Sequence, residues 1–155
     1  MAAQSLLVQA IELANKAHEG QTDKLGNPYI EHPRRVMEMA DTTDKKIVAI
    51  LHDVVEDTDV SIETIYRLFG EDIGEAVEAI THLKCEPREV YYERVKSNGL
   101  AHSVKLLDLA DNTDPKRMLL LPSDVQERLL TKYLKTFEIL AGGKDAMPLC
   151  RDNIP

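Results

Sequence analysis

The sequence predicts an all-α protein, with about seven or eight helices in a single compact domain spanning 1–155. Three observations carry this. Apolar residues recur at helical spacing, as at positions 6, 7, 10, 11, 13, 14 and 17, which places them on one face of a helix. The periodic segments are separated by breaks containing Gly, Pro, Asn or Ser, the usual punctuation of turns and caps. No window alternates apolar and polar residues as a half-buried strand would.

The first helix runs from about Ser5 to His18. Gly20 to Pro28 is a loop by composition,. A second helix runs from Pro33, tolerated in a first turn, to Ala40,. Asp44 is a good N-cap for a third, Lys45 through Glu56,. Ser61 caps a fourth, which stops at Gly70,. Asp72 to Leu83 reads as helix despite Gly74. Pro87 breaks the chain, and Arg88 to Ser97 is helical until Asn98-Gly99 closes it. Ala101 to Asp114 follows and stops at Pro115. Ser123 caps the last helix, Asp124 to Ala141, which Gly142-Gly143 ends. Residues 144–155 show no period and read as a loosely held tail,.

Composition narrows the partners. The 155 residues are 43% hydrophobic and 30% charged, which suits a folded soluble domain. Lys and Arg total 19 against 27 Asp and Glu, a net charge of −8. Neither nucleic acid nor an anionic membrane is an expected partner for such a chain. An anionic small molecule remains open if a metal or local cations supply positive charge. Cys85 and Cys150 lie far apart and outside any CxxC pair. That excludes a disulfide framework and fits a reducing, cytoplasmic setting. No apolar run is long enough to span a membrane, and the N-terminus lacks the pattern of a signal peptide,.

Three stretches carry chemistry. In Leu51-His52-Asp53-Val54-Val55-Glu56-Asp57-Thr58, a continuous helix at roughly 100° per residue sets His52, Asp53, Glu56 and Asp57 on one arc. The preceding Ile47-Val48-Ala49-Ile50-Leu51 is apolar throughout. An ionisable cluster behind a buried run needs a metal or other counter-charge. In Val104-Lys105-Leu106-Leu107-Asp108-Leu109-Ala110-Asp111-Asn112, Lys105, Asp108 and Asn112 share a face. Asp108 is there either the partner of Lys105 or a metal ligand. The third stretch is Pro28-Tyr29-Ile30-Glu31-His32-Pro33, which holds a histidine at a helix entrance.

Together these stretches resemble the HD-domain metal-dependent phosphohydrolases. More narrowly, they resemble the hydrolase domain of the RelA/SpoT homologues and the stand-alone small alarmone hydrolases. The matching text is Ala17-His18-x-Gly20-Gln21, Pro28-Tyr29-Ile30-x-His32-Pro33, Leu51 to Thr58, Phe69-Gly70, and Val104-Lys105-Leu106-x-Asp108 with Asn112. It covers about residues 5–120, and the length leaves room for the hydrolase domain alone.

The resemblance implies an all-helical HD-domain fold and one metal ion, usually Mn²⁺, held by His32, His52, Asp53 and Asp108. It implies a catalytic acidic pair, Glu56 and Asp57, and substrate contacts from Lys24 and Asn112. The reaction it implies removes the 3′-pyrophosphate of (p)ppGpp-like alarmones and releases pyrophosphate. A mixed N/O donor set suits Mn²⁺, and would also accommodate Zn²⁺ or Fe²⁺. The implied partner is a small nucleotide, and the sequence gives no oligomeric state. Alternatives are the same chemistry on an adenine alarmone, another HD-type nucleotidase, or a non-catalytic nucleotide-binding module. Two positions depart from the family pattern. Asp23 stands where an arginine commonly stacks on guanine, and Asp111 stands where histidine is frequent. Among further candidates, His18, His82 and His102 read as packing or surface residues. Lys84, Arg88, Arg94 and Lys96 read first as a solvated charged face and otherwise as a basic rim for phosphates, and Lys116 and Arg117 are candidate phosphate contacts.

Overall fold

Helix α3 (Thr43–Leu51) is the centre of the molecule. Ile47, Val48, Ala49, Ile50 and Leu51 are all fully or almost fully buried, as expected of a helix that is apolar all round. The computed structural model describes residues 4–142, so the 144–155 tail and Cys150 lie outside the described residues. Around α3 pack α1 (Leu6–Ala17), α2 (Glu31–Met39), α6 (Glu71–Ile80) and α8 (Gly99–Asn112). Helix α8 also touches α7 (Arg88–Lys96) and α10 (Ser123–Leu140). The remaining elements are α5 (Ile62–Phe69) against α6, and the four-residue turns α4 (Val54–Asp57) and α9 (Pro115–Met118). No strand occurs among the described residues; the loop before α2 holds an isolated Thr22–Pro28 bridge. One hydrophobic cluster runs from Ala10 to Leu140.

Side-chain caps set several boundaries. The Ser5 hydroxyl accepts from the Val8 N–H, and Ser61 from Thr64 N–H, each satisfying an orphan donor of a first turn. Gly70, at φ 89°, ends α5 and opens α6; that left-handed backbone favours glycine. Asn98 does not close α7 as the sequence suggests: its side chain accepts from Ala101 N–H and caps α8. Pro115 likewise starts a new turn, at the first position of α9,.

The larger departure lies at His52. The third helix does not continue to Glu56. Thr42, not Asp44, caps it, and it ends at Leu51. The Ala49 carbonyl, which a continuing helix would offer to Asp53, accepts from the His52 ring Nδ1 at 2.6 Å. The chain then restarts as α4, with Asp53 as its N-cap.

Candidate metal centre and nucleotide cavity

Four elements converge where α3 breaks. His32 is the second residue of α2, and its backbone N–H donates to Tyr29 O. His52 and Asp53 form the α3–α4 break, and Asp108 projects from the buried face of α8. His32 Nε2 lies 2.9 Å from Asp108 Oδ1 and 3.8 Å from Asp53 Oδ2. His52 Nε2 lies 3.1 Å from Asp53 Oδ2 and 3.4 Å from Asp108 Oδ1. His32, His52 and Asp53 each offer a ligand atom within 4.8 Å of the others.

The protonation chemistry favours a cation here. His52 Nδ1 faces a carbonyl, so it carries the hydrogen and leaves Nε2 as the lone-pair atom of the neutral ring,. That Nε2 is buried without a hydrogen-bond partner, and it faces two carboxylates. Burial opposes charging His52, but the carboxylates of Asp53 and Asp108 outweigh it and hold the ring well above its usual pKa. His32 behaves likewise: burial lowers it, and hydrogen bonds to Asp108 and Asp111 raise it further. Asp108 meets the same burial, yet Lys105 and the two imidazoles hold it well below the carboxylate range. The cluster thus demands positive charge between its carboxylates. Protons meet that demand in the bare protein, and a divalent cation on the same lone pairs would meet it equally. The residues therefore fit a metal.

Asp108 answers the ambiguity left by the sequence with both of its oxygens. Oδ2 accepts from Lys105 Nζ at 2.8 Å, while Oδ1 faces the imidazoles and accepts from Asn112 Nδ2 at 3.1 Å. Asn112 is thus engaged with Asp108 while lining the cavity.

The acidic pair is pinned from two sides. Glu56 Oε1 accepts from His82 N–H at 2.9 Å, and the Asp57 carbonyl accepts from Gln21 Nε2 at 2.9 Å. Gln21 is in turn held by His18 Nδ1 at 2.7 Å. Partial burial, then the charges of Asp53 and Glu56, push the Asp57 carboxyl up to about 6.

These groups line a cavity of about 480 Å³, within the range of small-ligand sites. His32, His52, Asp53, Asp57 and Asp108 are part of its lining, and Lys24, Arg88, Lys105 and Lys132 add cations. Tyr91, Tyr92 and Tyr133 contribute aromatic surface. Lys24 is exposed. Asp23 Oδ1 accepts from Leu25 and Asn27 N–H, both at 2.9 Å, and so braces its own loop.

Other candidates are engaged by protein groups, Arg117 while lining the cavity. Arg94 is occupied by Glu86 and the Thr81 carbonyl, and Arg117 by Asp111 and Asp114. His102 Nε2 meets the Leu140 carbonyl, joining α8 to α10. The sequence reading missed Tyr29, whose hydroxyl donates to Asp53 Oδ2, and the role of the His82 backbone. It gave no role to Lys132 or Tyr133, although α10 was legible as a helix. Only tertiary packing brings that helix to the cavity.

A family model described as HD domain matches residues 10–146. The chain belongs to the HD-domain family. Among relatives of this HD domain, the bifunctional (p)ppGpp synthase/hydrolase SpoT of Escherichia coli is 34% identical over 148 residues, covering 87% of this chain and 21% of the relative. A guanosine-3′,5′-bis(diphosphate) 3′-pyrophosphohydrolase of Aquifex aeolicus is 33% identical over 142 residues, covering 86% and 20% respectively. The chain therefore spans about a fifth of the length of these curated relatives. A solved structure of a metazoan SpoT ortholog, described as hydrolysing ppGpp, superposes with a TM-score of 0.76 at 24% identity. That match covers 99% of this chain and 96% of the other, and it shows that the two share the all-helical HD-domain fold.

Proposed function

We propose that this HD domain is a Mn²⁺-dependent hydrolase that removes the 3′-pyrophosphate of (p)ppGpp-like alarmones. The observation that carries this reading is the convergence of His32, His52, Asp53 and Asp108 beside Glu56 and Asp57 in a cavity that also presents cations. Support also comes from the names of its relatives, which include 3′-pyrophosphohydrolases.

His32, His52, Asp53 and Asp108 would hold the ion. Bound there, Mn²⁺ would neutralise phosphate charge and make hydroxide available near neutral pH. Glu56 and Asp57 orient the attacking water and take its proton, a role for which their tethered positions suit them. The water oxygen joins the departing pyrophosphate, and the nucleoside 3′ oxygen leaves with the bond electrons and takes up a proton. The products are pyrophosphate and the 5′-phosphorylated nucleoside. Lys24 and Asn112 contact substrate, and Arg88 and Lys132 offer positive charge to its phosphates. Asp23 braces its own loop rather than supplying a guanidinium for stacking, so adenine and guanine nucleotides are both substrates to test. The reading makes the chain one domain acting on a dissolved nucleotide, in the cytoplasm. Among the described residues, no helix is long and apolar enough to cross a membrane.

The test is a panel of guanine and adenine 3′-pyrophosphorylated nucleotides with Mn²⁺-loaded protein, scored for pyrophosphate. Release from either, lost in Asp53→Ala, supports the reading. Orthophosphate as the product makes the enzyme a different HD-type nucleotidase. Tight binding without turnover makes it a binding module.

A further inference from the structure

Asp111 is a buried carboxylate that the proposed reaction leaves unused. Its Oδ2 sits 2.7 Å from His32 Nδ1. Its Oδ1 accepts from Arg35 Nε at 2.9 Å and from Arg117 Nη2 at 2.6 Å. Arg117 also donates to the Asp111 carbonyl and pairs with Asp114 at 3.4 Å. Three helices thus meet on one carboxylate: α2 through His32 and Arg35, α8 through Asp111, and α9 through Arg117.

The two oxygens have different duties. One is saturated by guanidinium donors, which keep the carboxylate ionised. The other receives the His32 ring hydrogen. With Nδ1 so engaged, Nε2 is the lone-pair atom of the neutral ring, and it faces Asp108 and Asp53. A carboxylate behind a metal-binding imidazole fixes its tautomer and its direction and makes the ring a stronger donor. Histidine, frequent at this position in the family that the sequence resembles, would supply neither the charge nor an acceptor for two arginines.

We infer that Asp111, clamped by Arg35 and Arg117, is the positioning residue that presents His32 Nε2 to the metal. The inference rests on the metal reading of the cluster and not on the identity of the nucleotide. An ordinary structural ion pair would hold α2, α8 and α9 together without affecting ion affinity in folded protein. That difference is measurable.

The experiment titrates Mn²⁺ into full-length wild type, Asp111→Asn and Arg117→Gln. Free ion is followed by electron paramagnetic resonance, and thermal unfolding of the metal-free proteins is recorded in parallel. At a temperature where all three are folded, Asp111→Asn is expected to bind Mn²⁺ about 10–100-fold more weakly. Arg117→Gln should weaken binding by less, because the His32–Asp111 bond survives. Wild-type affinity in folded Asp111→Asn overturns the inference, even if that variant melts earlier. If Asp111→Asn does not fold, Arg117→Gln decides: weakened binding supports the inference and unchanged binding overturns it. Wild-type protein that binds no Mn²⁺ overturns it together with the metal reading. Protein that binds the ion but releases no pyrophosphate removes only the proposed substrate.

Discussion

The Tyr29 hydroxyl donates to Asp53 Oδ2 at 2.5 Å. The same oxygen lies 3.1 Å from His52 Nε2, so Tyr29 braces a proposed ligand from the loop that leads into α2. Burial and the Asp53 charge both raise the tyrosine pKa, so the hydroxyl stays a donor. Tyr29→Phe keeps the ring packing and removes only this bond. Metal-free stability should fall by about 1.5–3 kcal/mol, the usual worth of a hydrogen bond to a charged group. Mn²⁺ affinity should fall about tenfold, as for other residues that orient ligands. Chemical denaturation and an ion titration check the two effects separately.

Divalent cation should stabilise the fold. An ion present at about 100 times its dissociation constant adds about 2.7 kcal/mol, which raises Tm by roughly 5–11 °C in a domain of this size. Chelation should reverse the rise. His52→Ala should abolish it, because that substitution removes the buried Nε2 that faces the carboxylates. Thermal scans with Mn²⁺ and with chelator test this without any substrate.

The loop that holds Glu56 in place should weaken in acid. Arg94 hydrogen-bonds to Glu86 and to the Thr81 carbonyl, which ties down the segment that carries His82. Bonding to Arg94 holds the Glu86 carboxyl below its ordinary value, against a small opposing burial effect. A carboxyl depressed in the fold contributes stability above its unfolded pKa, about 4.3 for glutamate. That contribution is lost as pH falls through the folded value. Glu86→Gln should therefore be less stable than wild type at pH 7. The deficit should close as pH falls below the ordinary glutamate range, which denaturation at several pH values would show.

Gly74 should resist replacement. A Cβ built at this position in α6 would run into the ring of Tyr66 on α5. Alanine gains about 1 kcal/mol in helix propensity, but overpacking costs about 1–3 kcal/mol. The net expectation for Gly74→Ala is a loss of stability, measured by urea denaturation. Unchanged or higher stability would mean that the Tyr66 ring moves aside freely.

Much of this was legible in the sequence, for identifiable reasons. Ser61 caps the helix that follows it because a cap is a local contact that three or four residues decide, whereas Ser123 is the first residue of α10, whose N-cap is Pro122 without a side-chain cap bond. His52 and Asp53 stand out because ionisable groups behind an apolar run need compensation, whereas His32 and Asp108 join them as ligands only through the resemblance; the fold brings all four together. The spacing from His52 to Asp57 makes one arc only in an unbroken helix, and here the His52 ring takes the carbonyl three residues back and α3 stops at Leu51. Asp111 read as a departure from a pattern because its partners, His32, Arg35 and Arg117, come from elements whose docking no local spacing encodes. The α10 wall of the cavity was hidden for the same reason.

His32 and Asp108 lie 76 positions apart in the chain, and His32 and Asp111 lie 79 apart. Contacts that distant in sequence raise the contact order of the fold, which slows folding. The imidazole of α2 and the carboxylates of α8 therefore come together only when the amino-terminal helices have docked on the later ones. An ion held by these residues would thus report native docking of the two ends of the domain, because helices formed without that docking offer it no complete ligand set.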